Sequence, residues 1–328
     1  VVVVADRLAE RGRELPLGGD ERAELGMREA EDVLLDLGVR GPGGRRGLVQ
    51  GLEERLPVAD EDDQPEVVEE AGEVILAAKV LPRTQEILEK EFAVHRMYEA
   101  ADRAAFLKQH AHVRALATFG PNGANAALMD ALPKLEIISH FGVGVDSIDL
   151  GAAKQRKVIV TNTPDVLNDC VADTAMSLVL NAMREFPQSE AWMRSGLWPG
   201  QGMYRLTTSL GGKTLGILGM GRIGEAIAKR AEAFGMKIRY HNRSKKAVPY
   251  AYDASPVELA KHSDCVLVAT PGGAETAKIV NAAVLDALGP QGYLVNISRG
   301  STIDEPVLLK YLQEKRIAGA GLDVFIGE

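Results

Sequence analysis

One short run, Gly219-Met220-Gly221-Arg222-Ile223-Gly224, limits the possible folds of this chain more than any other feature. An apolar segment over residues 214–218 leads straight into it. The residues behind it carry Ile223, Ile227, Ala231 and Phe234 at helical spacing, which predicts a helix over 223–234. A second strand is expected at once, over 237–240. In such a strand–turn–helix unit the first glycine permits the tight turn. The second lets a bulky anion approach the backbone, and the third lets the helix lie against the strand. The helix then presents free N–H groups and its positive dipole end to that anion. The arrangement is the dinucleotide-binding fingerprint, and it predicts a doubly wound α/β fold.

The rest of the chain from residue 73 agrees with that reading. Strand-like runs over 74–81, 94–98, 113–119, 135–139 and 158–161 alternate with helix-like runs over 84–91, 104–110, 125–131 and 147–156. A second series begins after Gly212, with strands over 214–218, 237–240, 265–269, 293–297 and 318–323. Its helices are expected over 223–234, 256–261, 282–288 and 305–315. Short connections in repeated βα order imply two doubly wound parallel-sheet domains, Rossmann-like or flavodoxin-like. Residues 165–186, free of Pro and Gly, predict a connecting helix, and 191–212, with Trp192, Trp198 and Tyr204, an extended arm. The expected division is an extension over 1–72, a substrate-binding domain over 73–169 and a dinucleotide-binding domain over 170–328.

Residues 1–72 differ in kind. They hold 19 Asp and Glu against 9 Arg, without Lys, aromatic residues, Ser, Thr, Asn or Ile. A packed core is not expected of that composition, so an acidic, poorly ordered extension is. The formal charge of −8 therefore belongs to the extension, the remainder being close to neutral. No apolar run is long enough to cross a membrane, and Val1–Val4 is too short for a signal-peptide core. Cys170 and Cys265 lack metal-ligand spacing and lie in apolar segments, which predicts buried thiols, no metal site and a reducing cytoplasm. With no basic stripe or recognition motif, nucleic acid is not an expected partner.

The turn after the second strand of the dinucleotide unit indicates which dinucleotide. In this fold an acidic residue there accepts the ribose 2′-hydroxyl of NAD. Here the strand ends in His241-Asn242-Arg243-Ser244-Lys245-Lys246, with cations and small polar groups instead. Arg243, helped by Asn242 and Ser244, suits a 2′-phosphate, so NADPH is expected over NADH. Further on, Asn296-Ile297-Ser298-Arg299-Gly300 ends an apolar strand at the carboxyl edge, where ligands of open α/β sheets bind. Arg299 there can hold a carboxylate with two parallel hydrogen bonds and polarise a neighbouring carbonyl.

Five segments together carry a resemblance: Phe141-Gly142-Val143-Gly144-Val145-Asp146, Thr161-Asn162-Thr163-Pro164, the glycine turn, Asn296 to Gly300, and Gly321-Leu322-Asp323-Val324-Phe325 with Glu328. From Val74 onward the chain resembles the D-isomer-specific 2-hydroxyacid dehydrogenases, nearest their glyoxylate/hydroxypyruvate reductase branch. The resemblance implies that backbone N–H groups around Val143 and Gly144 hold the substrate carboxylate. Arg299 would bind and polarise the 2-oxo acid. Gly219, Gly221, Arg222, Ile223, Gly224, Thr270, Pro271, Ser298 and Asp323 would bind the cofactor, together with Asn242, Arg243 and Ser244. Glu328 matches a carboxylate that orients a catalytic histidine and raises its pKa. A homodimer through the arm near Trp192 and Trp198 is also implied.

That histidine follows the glutamate in the family, and none of His95, His110, His112, His140, His241 and His262 matches it by position. The expectation is a C-terminally truncated reductase with apolar surface uncovered and a sheet edge open, weak in cofactor binding and slow in turnover. Alternatives are a phosphoglycerate or formate dehydrogenase of the same class, or a non-catalytic dinucleotide-sensing protein on the same scaffold.

Overall fold

The structure, a computed structural model, describes Val2–Val4 and residues 72–327. Most of the acidic extension, and Glu328, lie outside the described residues. The described chain divides into two compact units that meet at Val166 and Leu167.

In the first unit, residues 72–166, five strands form one parallel sheet: β2 (Glu73–Leu76), β3 (Ala93–Arg96), β4 (Ala115–Phe119), β5 (Ile137–Phe141) and β6 (Ile159–Thr161), in the order β3-β2-β4-β5-β6. Successive side chains leave a strand on opposite faces, so a sheet covered on both sides needs nearly continuous apolar strands. Thus Ile75, Leu116 and Ile138 pack on one face, and Val74, Leu76, Ala115 and Ile137 on the other. The covering helices are α1 (Pro82–Glu91), α2 (Arg103–Gln109), α3 (Ala126–Ala131) and α4 (Leu150–Arg156). Three start on side-chain caps: Asp102, Asn125 and Asp149 accept from first-turn N–H groups. The cap at Asp149 starts α4 three residues later than the expected 147, and β2 ends at Leu76, leaving 77–81 as a loop.

The second unit holds β7 (Thr214–Leu218), β8 (Lys237–His241), β9 (Ala251–Tyr252), β10 (Cys265–Val268), β11 (Tyr293–Asn296) and β12 (Gly319–Leu322), all parallel. A further strand, β1 (Val2–Val4), completes the order β1-β12-β11-β10-β7-β8-β9. On one face α5 (Asn168–Arg184) and α8 (Arg222–Ala233) bury Leu178, Val179, Ile227 and Ala231 against Ile217, Tyr240 and Val295. On the other, α9 (Pro256–Lys261), α10 (Ala282–Leu288) and α11 (Glu305–Gln313) cover Leu218, Val266, Leu294 and Ala320.

Several expectations are corrected. The edge at β12 is not open: Val2–Val4 pairs along it antiparallel, Val2 opposite Leu322 and Val4 opposite Ala320. Composition places those residues in the unordered extension and carries no sign of the ladder they complete. Cys170 is exposed on the first turn of α5, whereas Cys265 is buried and its thiol pKa is pushed up by desolvation. Phe234 caps α8 and lies outside the buried stripe, half exposed. The arm is not wholly extended. Glu185 adopts φ +52°, which ends α5; α6 (Phe186–Arg194) and a single turn, α7 (Trp198–Gln201), follow. Among the described residues no helix is long and apolar enough to cross a membrane.

Candidate functional site

In the second unit the chain leaves β7 towards β8 on one side, and later returns to place β10 on the other. The carboxyl ends of β7 and β10 therefore flank a topological switch point, where open α/β sheets bind ligands. Gly219 stands there at φ +108°, and a Cβ on it would lie 2.6 Å from the Ala269 carbonyl oxygen. Gly224 packs α8 against the turn, since a Cβ there would come within 2.4 Å of the Gly219 oxygen. Gly221 is different. Its backbone is extended and a Cβ would meet nothing within 4 Å. Neither conformation nor packing of the chain itself asks for glycine there, and the space beside it is open.

Gly221 is also the N-cap of α8 and provides no side-chain cap, so the first-turn N–H groups face that space with the positive end of the helix dipole. Arg222 is exposed and Ile223 is partly buried against the core. Across the switch point, the Thr270 hydroxyl oxygen is buried without a hydrogen-bond partner among the described residues. A lone buried hydroxyl beside an uncapped helix end fits a polar ligand lying along the turn. These residues therefore fit a dinucleotide.

Two further loops frame the turn. The Asn242 side chain accepts from Met220 N at 2.6 Å and donates to Met220 O at 3.3 Å, so it braces the glycine turn from the end of β8. Both of its polar ends are thus engaged with backbone. Arg243, beyond it, pairs with Glu275, and both side chains are largely exposed. Ser244 and Pro271 are exposed as well.

Arg299 follows β11, two strands from the glycine turn, or about 10 Å at normal strand spacing. Its carbonyl accepts from Asn296 Nδ2 at 3.0 Å and from Thr302 Oγ1 at 2.7 Å, and its Nη1 donates to Ser298 O at 2.9 Å. Gly300 packs so closely on Phe325 that a Cβ would overlap it at 2.1 Å. The half-buried guanidinium is therefore carried on a pinned backbone. Ser298 Oγ donates to Thr270 O, and Asp323 N donates to Asn296 O at 2.9 Å. Contacts thus run without a break from Gly219 through Thr270 and Ser298 to Arg299 along one carboxyl edge, with half-buried Asp323 just after the end of β12.

In the first unit, residues 142–146 form a loop after β5. Asn162 Nδ2 donates to Val143 O at 2.8 Å and Thr163 N to Gly142 O at 3.1 Å, so the segment after β6 supports the loop that carries Val143 and Gly144. That bracing accounts for one motif whose role the residues alone did not show. His140 is a core residue, 2 % exposed, with Nδ1 2.7 Å from Thr118 Oγ1. His95 and His112 both meet Glu73, at the amino end of β2. In the second unit, His241 Nδ1 contacts Asp253 O and His262 Nδ1 contacts Asp253 Oδ1.

Residues 176–328 match the family profile of the D-isomer specific 2-hydroxyacid dehydrogenase NAD binding domain. The chain is 46% identical to a hydroxyphenylpyruvate reductase of Plectranthus scutellarioides, over 78% of this chain and 82% of that one. It is 47% identical to a glyoxylate/hydroxypyruvate reductase of Arabidopsis thaliana, over 73% and 76% of the two chains. Among solved structures it is similar to an NADPH-dependent glyoxylate/hydroxypyruvate reductase of Sinorhizobium meliloti in complex with NADP and malonate, with TM-score 0.73 and 46% identity over 79% and 81% of the chains.

Proposed function

Because the chain belongs to the D-isomer-specific 2-hydroxyacid dehydrogenase family, we propose that it reduces a small 2-oxo acid, glyoxylate or hydroxypyruvate, to the 2-hydroxy acid with NADPH. The observation that carries this reading is the half-buried Arg299 on its pinned backbone, at the same carboxyl edge as a glycine turn with an open cradle at Gly221. NADPH, when bound, supplies the hydride. Arg299 binds the substrate carboxylate and draws electron density from the neighbouring carbonyl, which makes its carbon a better hydride acceptor. The N–H groups of α8 take the pyrophosphate, the Thr270 hydroxyl takes a polar group of the cofactor, and Asp323 serves the carboxamide. The resemblance adds the Val143 and Gly144 N–H groups as carboxylate ligands and Glu328 as the partner of a catalytic histidine. The basic turn over 243–246, and the NADPH dependence of the Sinorhizobium relative, support NADPH over NADH.

We also assign a homodimer, formed through the arm.

The test is NADPH consumption, followed by absorbance, on glyoxylate, hydroxypyruvate and an aryl 2-oxo acid. Arg299→Gln is expected to lower kcat/KM by about 10²–10³-fold. Lys in its place recovers little, because it lacks the planar fork. No consumption with any 2-oxo acid, or a full rate in R299Q, would overturn the assignment.

A further inference from the structure

The ion pair between Arg243 and Glu275 crosses the place where the adenosine end of a dinucleotide must lie. Arg243 follows β8 and Glu275 follows β10, and in the sheet these strands stand on either side of β7, whose carboxyl end is the glycine turn. Each side chain extends from a braced backbone. Asn242 ties the backbone before Arg243 to Met220. The turn that carries Glu275 is held by Thr276 Oγ1, which donates to Pro271 O at 2.7 Å, and by Gly273 at φ +123°. Yet the two charged side chains are 85% and 74% exposed. So exposed a pair is weak, screened by salt and readily exchanged.

We propose that Glu275 is the counter-ion that Arg243 exchanges for the 2′-phosphate of NADPH, and that it thereby tempers the discrimination between NADPH and NADH. The proposal rests on the NADPH reading given above. Before the cofactor binds, Glu275 neutralises the one guanidinium suited to a 2′-phosphate and places a carboxylate where that dianion must come. Binding of NADPH breaks one charge-assisted pair to form a stronger one and forces two anions into proximity. NADH brings no phosphate to Arg243, so the pair can persist, and Glu275 stays available to accept from a ribose hydroxyl. The sequence turn that looks free of carboxylates thus acquires one from a segment 32 residues away.

Calorimetric titration of the folded chain with NADPH, NADH, adenosine 2′,5′-bisphosphate and 5′-AMP tests this, using E275Q, R243Q and the double variant. The first is expected to tighten NADPH and the bisphosphate about two- to fivefold, the range in which exposed ion pairs act, with NADH and 5′-AMP unmoved or slightly weakened. The gain should shrink in the R243Q background and at high salt. Unchanged or weaker NADPH binding in E275Q, beside a clear loss in R243Q, would overturn this proposal alone. An equal gain for NADPH and NADH would overturn it as well, since that is a plain effect of net charge. If R243Q also leaves NADPH binding unchanged, the NADPH preference itself fails together with the role of Glu275.

Discussion

Gly221 and Gly224 belong to one turn but are glycines for opposite reasons. Gly224 has no room: its missing Cβ would stand 2.4 Å from the Gly219 oxygen and 3.4 Å from the Ile217 side chain. Gly224→Ala is therefore expected to lower stability by about 1–3 kcal/mol, read by urea denaturation. Gly221 has room to spare, and its φ of −94° suits any residue. Gly221→Ala is expected to leave stability within about 0.5 kcal/mol and to weaken NADPH at least about tenfold in a titration. If G221A bound NADPH normally, the cradle would not be where the pyrophosphate lies. Spacing in the sequence marks both positions and suggests these different roles, and the structure adds the contact distances. Asn242 is a similar case. Beside Arg243 it reads as a phosphate ligand, and in the structure its carboxamide braces the turn, accepting from Met220 N–H and donating to Met220 O.

At the scale of the element, the short strand β9 shows how a two-residue edge is held. Asp253, which follows it, is 4% exposed and accepts from Arg239 of β8 at 2.8 and 2.7 Å, and from His262 after α9 at 2.9 Å. Burial pushes this carboxyl up, but the hydrogen bonds from Arg239 and His262 outweigh it, so its pKa lies below the ordinary value. A depressed folded pKa means that the carboxylate stabilises the fold at neutral pH and loses that contribution as the pH falls through the folded value. Asp253→Asn is expected to cost about 2–4 kcal/mol at pH 7, since Arg239 is left without its charge partner. The gap between the two proteins should narrow below about pH 4, measured by urea denaturation across pH. A gap independent of pH would show that the charge of Asp253 is not what holds the edge. Helix α5 was legible from its apolar spacing, whereas its end was not. Glu185 stops it in a left-handed conformation because its buried carboxylate accepts from Tyr204 at 2.7 Å and Arg205 at 2.5 Å, partners from further along the chain.

For the whole molecule, the arm of the second unit carries Phe186, Met193, Trp198, Met203 and Leu206 exposed, Leu206 at 92%. Apolar side chains gathered on one segment call for a cover, and a second copy is the cover implied by the family. Sedimentation is expected to give a dimer, and Leu206→Arg a monomer with unchanged circular dichroism; a monomeric parent would refute the assignment. By itself the sequence determined the alternation of the main strands and helices, the two sheets, the glycine turn and the strand end that bears Arg299, but not β9 or the helices of the arm. These follow from side-chain periodicity and from glycines at fixed spacing, and both are local properties of a chain. The tertiary structure alone decided that Val2–Val4 closes the edge of β12, that Cys170 faces solvent, that Asn242 braces the turn, and that Glu275 stands against Arg243. Each of those depends on which strands become neighbours in a sheet. That neighbourhood is settled by hydrogen bonds and packing between segments tens to hundreds of residues apart, and no local pattern records it.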